Sequence, residues 1–310
     1  MKFSLSILLF LSGPFGFSQE LTQFFPQSGG SIVQHTHYSL AYSEEHEQAI
    51  WVFYELESEE AKGGFKRRDD FRADPLVTTE SATLADYKAS GYDRGHLAPA
   101  ADMAFSENAI SESFYMSNMS PQKPSFNRGI WKKLEAQFRD WALADGSLYI
   151  VTGPVLSPGL AKMGSNAVSI PKYYYKLALD FDADELGAIA FLLPNTGLKA
   201  DLQNFIISID SLESITGIDF FAGLDDQLEA QFEAQAGDFN FWKKNRPAPV
   251  FARDSIEAAV ANSVSAENSA PAADLDMPSS AISKYQWLAI VFLLLLIVLV
   301  VVFIVKRRSA

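Results

Sequence analysis

The segment Gly91-Tyr92-Asp93-Arg94-Gly95-His96-Leu97-Ala98-Pro99-Ala100 holds the histidine with the clearest chemical setting. An imidazole titrates near neutral pH, so a neutral His96 can take a proton from water. Asp93 and Arg94 put both signs of charge beside it. Gly95 permits a tight backbone just before the ring, and Pro99 disfavours helix at the residue before it. A second group of polar residues follows: Ser117-Asn118-Met119-Ser120-Pro121-Gln122, then Asn127, then Glu135 and Arg139. On a regular helix, the path from Asn127 to Glu135 turns through about 800°, which leaves the two side chains about 80° apart. Helical side chains lean toward the N-terminus, so Glu135 comes back toward Asn127. An amide oxygen and a carboxylate on one polar flank can hold a hydrated hard cation. The plain alternative is a polar turn followed by a Glu–Lys surface pair. His35 and His37 fall on one face of a strand, as a metal pair or, more simply, as surface residues; His46 lies in an acidic loop and is expected in solvent.

These residues must be positioned by a fold with both strands and helices. Strand-like runs rich in aromatic and β-branched residues occur at 38–42, 50–56, 147–151, 173–179 and 188–193. The polar stretch Ser43 to Gln48 joins the first two as a hairpin. A helix is expected over about 126–144, where Ile130, Leu134, Phe138 and Trp141 recur at helical spacing before Gly146. Asp210 with Glu213 reads as the start of a short helix ending before Gly217. Strands in hairpins, with helices out of strict alternation, indicate an α+β domain and not a doubly wound parallel sheet.

Taken together, the Asp-Arg-Gly-His motif, the Asn-x-x-Pro-Gln segment and the Asn-x-x-x-Trp-x-x-Leu-Glu helix resemble the DNA/RNA non-specific endonuclease family, the endonuclease G-like ββα-metal nucleases. The resemblance runs from about Tyr38 to Phe221. It takes in Phe71-Arg72, Val151-Thr152-Gly153-Pro154 and Ile170-Pro171 as well. It implies a ββα-metal nuclease fold with a central, mostly antiparallel sheet flanked by helices. It implies hydrolysis of phosphodiester bonds in both DNA and RNA, leaving 5′-phosphorylated ends. His96 matches the general base. Asn127 matches the ligand of a single Mg2+, for which Mn2+ can substitute. Glu135 matches the carboxylate that holds metal-bound water, and Arg139 an arginine placed toward the scissile phosphate. Asn118 matches an amide near the base. The family has a further arginine upstream, for which Arg67 and Arg68 compete. Arg94 and Lys132 are expected to bind substrate. Two alternatives stand beside this reading: a catalytically weak nucleic-acid-binding module of the same fold, and a phosphodiesterase acting on small nucleotides.

The chain as a whole sets further bounds. It has 310 residues, 48% of them hydrophobic, and a net charge of −13. Such a chain is neither disordered nor a generally basic nucleic-acid binder. The absence of Cys excludes disulfides, Cys-ligated zinc, iron–sulfur clusters and thiol catalysis. Charge is unevenly spread: Lys62, Lys66, Arg67, Arg68 and Arg72 form one basic cluster, Lys123, Arg128, Lys132, Lys133 and Arg139 another. An acidic body with a basic face suits a polyanionic substrate, and ordinary solvated surface is the competing explanation.

Both ends carry apolar runs. Residues 1–18 have the charge, apolar stretch and small residues of a secretory signal peptide. Residues 19–253 form the expected nuclease domain. Residues 254–284, without aromatic side chains, read as a flexible linker. Leu288 to Val305 is entirely apolar and would span roughly 27 Å as a helix. With Tyr285 and Trp287 it makes the expected transmembrane helix, 285–305, and Lys306, Arg307 and Arg308 in the tail 306–310 orient it with the C-terminus in the cytoplasm. The expectation is a single-pass membrane protein with its nuclease domain outside the cytoplasm; no protein partner is visible in the sequence.

Overall fold

Five apolar runs become the middle strands of one sheet. In chain order the strands are β1 (Ser31–Gln34), β2 (Ser39–Ser43), β3 (Gln48–Glu57), β4 (Asp93–His96), β5 (Met119–Gln122), β6 (Ser147–Pro154), β7 (Lys162–Met163), β8 (Val168–Ser169), β9 (Tyr173–Asp180), β10 (Gly187–Pro194) and β11 (Ile206–Ile207). The helices are α1 (Ser58–Ala61), α2 (Leu84–Tyr87), α3 (Glu107–Glu112), α4 (Pro124–Phe126), α5 (Lys132–Asp145) and α6 (Ile209–Thr216). This computed structural model describes residues 21–180, 187–224, 229–230, 233 and 236–239. The expected signal peptide (1–18), linker (254–284), transmembrane helix (285–305) and basic tail (306–310) lie outside the described residues. Among the described residues, no helix is long and apolar enough to cross a membrane.

The main sheet has seven strands in the order β1-β2-β3-β6-β9-β10-β11. Every neighbouring pair in it is antiparallel. The five expected runs are β2, β3, β6, β9 and β10, each within a few residues of its expected bounds; the short edge strands β1 and β11 add to them. Side chains alternate across the sheet with period two. On β3, Val52 and Tyr54 enter one apolar cluster while Trp51 and Phe53 enter another. On β9, Tyr174 and Ala178 share the first cluster, and Tyr175, Leu177 and Leu179 the second. Helix α5 covers the first face through Leu134, Phe138 and Trp141. Helix α6 covers the second through Ile209 and Leu212, helped by Phe24 and Phe220. With both faces covered, the strands read as near-continuous apolar runs. Each such buried side chain contributes roughly 1.5–3 kcal/mol.

The smaller sheet, β4 paired antiparallel with β5, carries the motif residues. The helical segment from α4 into α5 follows it directly. This is the ββα unit, and it departs from expectation in one respect. The expected continuous helix over 126–144 is interrupted: Asn127–Trp131 forms a π-helical turn between α4 and α5, with Gly129 at φ −106°, ψ −113°. The regular-helix angle between Asn127 and Glu135 therefore does not apply. A second difference is at α6. Its N-cap is Ser208, whose hydroxyl accepts from the Ser211 N–H at 3.3 Å, and not Asp210. Glu213 instead accepts from the Phe220 N–H at 2.7 Å, securing the chain beyond the helix, and Gly217 closes α6 in the left-handed region.

Candidate active site

His96 ends β4, opposite Met119 on β5. The need for glycine before it is steric: a Cβ on Gly95 would collide with the Gln122 side chain across the pair. The loop leaving His96 is clamped by Asn118. Its Oδ1 accepts from the Ala98 N–H at 2.8 Å, and its Nδ2 donates to the carbonyls of Ala98 at 2.9 Å and Ser113 at 2.8 Å. Asn118 is fully buried and its amide is spent on backbone, so it holds the loop that follows the base.

The ring of His96 is 8% exposed and packs between two phenyl rings, not on the solvent side. Phe114 meets it edge-on at 4.9 Å, and Phe71 lies 5.8 Å away. Guanidinium groups brace both phenyls: Arg94 sits 4.1 Å from the Phe71 centroid and Arg67 5.2 Å from that of Phe114. Desolvation, reinforced by Arg67 and Arg94 and opposed by Asp69, pushes the imidazole pKa down to about 3. The ring is therefore neutral at physiological pH. Its Nε2 is sealed from solvent and has no hydrogen-bond partner among the described residues.

Asp93 starts the same strand and links it to the helical segment. Asn127 Nδ2 donates to Asp93 Oδ2 at 3.0 Å, and Arg128 grips the same carboxylate through Nε at 2.8 Å and Nη2 at 2.6 Å. Desolvation would raise this carboxyl, but the Arg128 and Asn127 hydrogen bonds prevail and hold it below the usual range. Tying up Nδ2 fixes the amide orientation of Asn127 and leaves its Oδ1 without a protein partner among the described residues. A neutral amide oxygen held in this way is a hard donor that suits Mg2+. Arg67, Phe71, Tyr92, Asp93, Arg94, Asn127 and Arg128 all line one cavity of about 590 Å3, whose far wall is formed by Leu84, Tyr87 and Lys88 of the α2 region.

On the sheet face that α5 covers lies a buried polar chain that the sequence alone does not single out. Arg139, on α5, donates to Asp102 Oδ1 at 2.5 Å. Asp102 Oδ2 accepts from the Tyr54 hydroxyl at 2.7 Å. The Tyr54 oxygen accepts from Lys176 Nζ at 3.0 Å, which also donates to Thr152 Oγ1 at 2.8 Å. Asp102, Tyr54, Lys176 and Thr152 are all fully buried. Glu135, one turn before Arg139, feels the charges of Lys176, Asp102, Arg139 and Arg67. Desolvation raises its carboxyl above the usual range, with Lys176 the largest opposing influence. Two signals were available. Lys176 is the one charge in the apolar run Tyr173 to Leu179, and Asp102 interrupts a stretch of Ala, Pro and Met.

Other expected residues fall elsewhere. Arg67 is in position to act on both His96 and Glu135. Arg68 points away to Glu107 at 2.7 Å and is 70% exposed. Lys132 is exposed at the start of α5 and is not among the cavity-lining residues. The first basic cluster is largely paired: Lys62 with Glu59, Arg67 with Asp69, Arg72 with Asp70. Arg72 also donates to the Ser111 carbonyl and stacks on Tyr115, so it serves the scaffold. His35 is not a surface residue. It is buried, 2.9 Å from Asp74, and stacked on Tyr115, whereas His37 packs edge-on against Phe105. His46 is half-buried, with Nδ1 2.9 Å from the Ser169 hydroxyl, rather than free in solvent.

A family model described as DNA/RNA non-specific endonuclease matches residues 18–227. The mitochondrial nuclease EXOG of Danio rerio is 34% identical over 219 residues, covering 65% of this chain and 64% of that protein. Human mitochondrial endonuclease G is 33% identical over 198 residues, covering 59% and 67% of the two chains. A nuclease from Nostoc sp. is 32% identical over 244 residues, covering 75% and 86%. Among solved structures, the chain is similar to one from a crystal structure of an EndoG/EndoGI complex, with a TM-score of 0.64 and 28% identity over 69% of this chain and 95% of the other.

Proposed function

Because the chain belongs to the DNA/RNA non-specific endonuclease family and is a hydrolase of the nuclease kind, we propose that it cleaves phosphodiester bonds of both DNA and RNA at the β4–β5–α5 cleft. The observation that carries this reading is the common cavity of Arg67, Arg94 and Asn127, also lined by Phe71, whose ring packs 5.8 Å from the neutral imidazole of His96. Arg67 and Arg94 present fixed positive donors to a backbone phosphate. With the proton of the neutral ring assigned to the sealed Nε2, Nδ1 keeps its lone pair and takes the proton of the attacking water. The new P–O bond forms as the bond to the 3′-oxygen breaks, and that oxygen takes a proton from solvent water, leaving a 5′-phosphate and a 3′-hydroxyl. Asn127 Oδ1 would hold a Mg2+ ion, and Glu135 would support it through water. Bound there, the ion supplies charge neutralisation for the phosphate and the leaving oxygen. Arg139, held by Asp102, would serve the same phosphate, the role its match to the family helix implies. Attack on the backbone needs no reading of bases, so both nucleic acids are substrates. Between the two upstream arginines, Arg67 is the one that serves the site.

The apolar run 288–305 and the basic residues after it support a membrane-anchored domain that faces away from the cytoplasm. External protease should degrade the domain on intact spheroplasts; protection from it would overturn that orientation.

The chemistry is tested by end-group analysis. Fragments of a long duplex and of a structured RNA should accept label at the 5′ end only after phosphatase treatment, and their formation should require a divalent cation. Cleavage of a small phosphodiester alone would move the chain to the small-nucleotide alternative.

A further inference from the structure

We infer that Lys176 is a positioning residue for the nuclease reaction, holding Arg139 in place through Tyr54 and Asp102. The inference rests on the nuclease reading above and concerns a residue outside the cleft. Lys176 lies in the middle of β9, directly opposite Thr152 on β6, and is fully buried on the sheet face that α5 covers. A buried ammonium is costly unless it is paired and hydrogen-bonded. Here two of its three donors are accounted for, by Thr152 Oγ1 and the Tyr54 oxygen, and the ammonium itself lies over two aromatic rings, 5.3 Å from the centroids of Tyr54 and Phe138.

What remains is charge. Lys176 and Asp102 are fully buried, and the half-buried Arg139 and Glu135 lie close enough for the charges of all four groups to act on one another. Because Lys176 donates to the Tyr54 oxygen, the tyrosine proton is free to point at Asp102 Oδ2. That contact fixes one carboxylate oxygen and leaves the other facing Arg139. The guanidinium is thus aimed from a rigid sheet strand, not by its own flexible stem. Removing the lysine charge leaves Arg139 alone to answer both carboxylates, which draws it inward and away from the cleft. The cations that meet nucleic acid at the surface, such as Arg67 and Arg94, do not depend on this chain of contacts. A positioning role therefore predicts a loss in kcat without a matching change in substrate affinity.

The test compares Tyr54→Phe and Lys176→Met with the wild-type full chain. Melting and circular dichroism establish folding, and fluorescence anisotropy in EDTA reads DNA binding. Tyr54→Phe keeps the ring and removes the hydroxyl that joins Lys176 to Asp102, so it stays informative if Lys176→Met fails to fold. Loss of a supporting hydrogen bond of this kind typically costs about 10–100-fold. The expected result is a kcat lowered about tenfold in Tyr54→Phe and more in Lys176→Met, with KM for DNA and binding in EDTA within about twofold of wild type. A folded Tyr54→Phe with unchanged kcat overturns the inference. So does a defect that falls on KM or on melting alone, which is what a merely structural residue would give. A wild-type chain that cleaves neither DNA nor RNA would remove the nuclease reading itself, and the inference with it.

Discussion

The two faces of the central sheet are used for different ends. The face under α6 is packed by Phe53, Val151, Leu177 and Leu179, side chains that contribute through area alone, and by Trp51, whose indole N–H donates to Ser28 Oγ at 2.8 Å. The face under α5 has a comparable apolar cluster, but Lys176, Thr152 and Tyr54 interrupt it and connect through Asp102 to Arg139. Each interruption is hydrogen-bonded, as burial demands. The difference teaches where chemistry can be installed. A face packed without buried charges supplies stability, and the neighbouring face can then carry charges that stability alone would not favour.

That division can be broken most sharply at His96. His96→Asn keeps a polar side chain among Phe71 and Phe114 and removes the base, so the cleavage rate should fall about 10²–10⁴-fold while the fold persists. Single-turnover cleavage with a parallel dichroism spectrum measures this; a loss under tenfold would contradict the base role. On the opposite face the pattern should invert. Leu177→Ala should lower unfolding stability by about 2–5 kcal/mol, read by urea denaturation, with kcat of the folded protein unchanged.

The next effect is one of pH. His96 is neutral when folded, with its pKa near 3, while the unfolded imidazole titrates near 6.5. Between those values the unfolded chain binds more protons, so stability rises with pH, by up to about 1.4 kcal/mol per unit from this group. The contribution is complete above the unfolded pKa and is lost as pH falls toward the folded one. Urea midpoints at pH 4 and 7 should therefore differ less in His96→Asn than in wild type; an equal difference would mean that the ring is not held neutral. The smallest expected effect separates the two upstream arginines. Arg67→Ala should lower kcat/KM about tenfold through the lost phosphate contact, whereas Arg68→Ala, removing an exposed pair with Glu107, should change it less than twofold. Equal losses would return the choice between them to the open state it has in the sequence.

Much of the site is legible in the sequence because its residues sit close together in the chain. Asp93, Arg94 and His96 share β4, and Asn127, Glu135 and Arg139 share the helical segment after β5. The five middle strands are legible for a related reason, since burial on both faces leaves near-continuous apolar runs. Three features are not. The π turn at Asn127–Trp131 breaks no hydrophobic spacing, because Ile130 and Trp131 stay buried on either reading. The burial of His96 depends on Phe71 and Phe114, which come from distant loops. The charge chain joins residues from β3, β6, β9, α5 and the loop after β4, and no local pattern links Lys176 to Asp102. Its two marks, Lys176 in an otherwise apolar strand and Asp102 among Ala, Pro and Met, lie far apart in the chain.

The central claim is that the cleft around His96 and Asn127 hydrolyses nucleic acid. The most direct measurement is digestion of a supercoiled plasmid and of a long RNA by the chain and by its His96→Asn form, each with Mg2+ and with EDTA. The account predicts that the wild type with Mg2+ degrades both substrates, and that the other three combinations leave both intact over the same time. Intact plasmid and RNA with the Mg2+-supplied wild type, or equal digestion by His96→Asn, would contradict it.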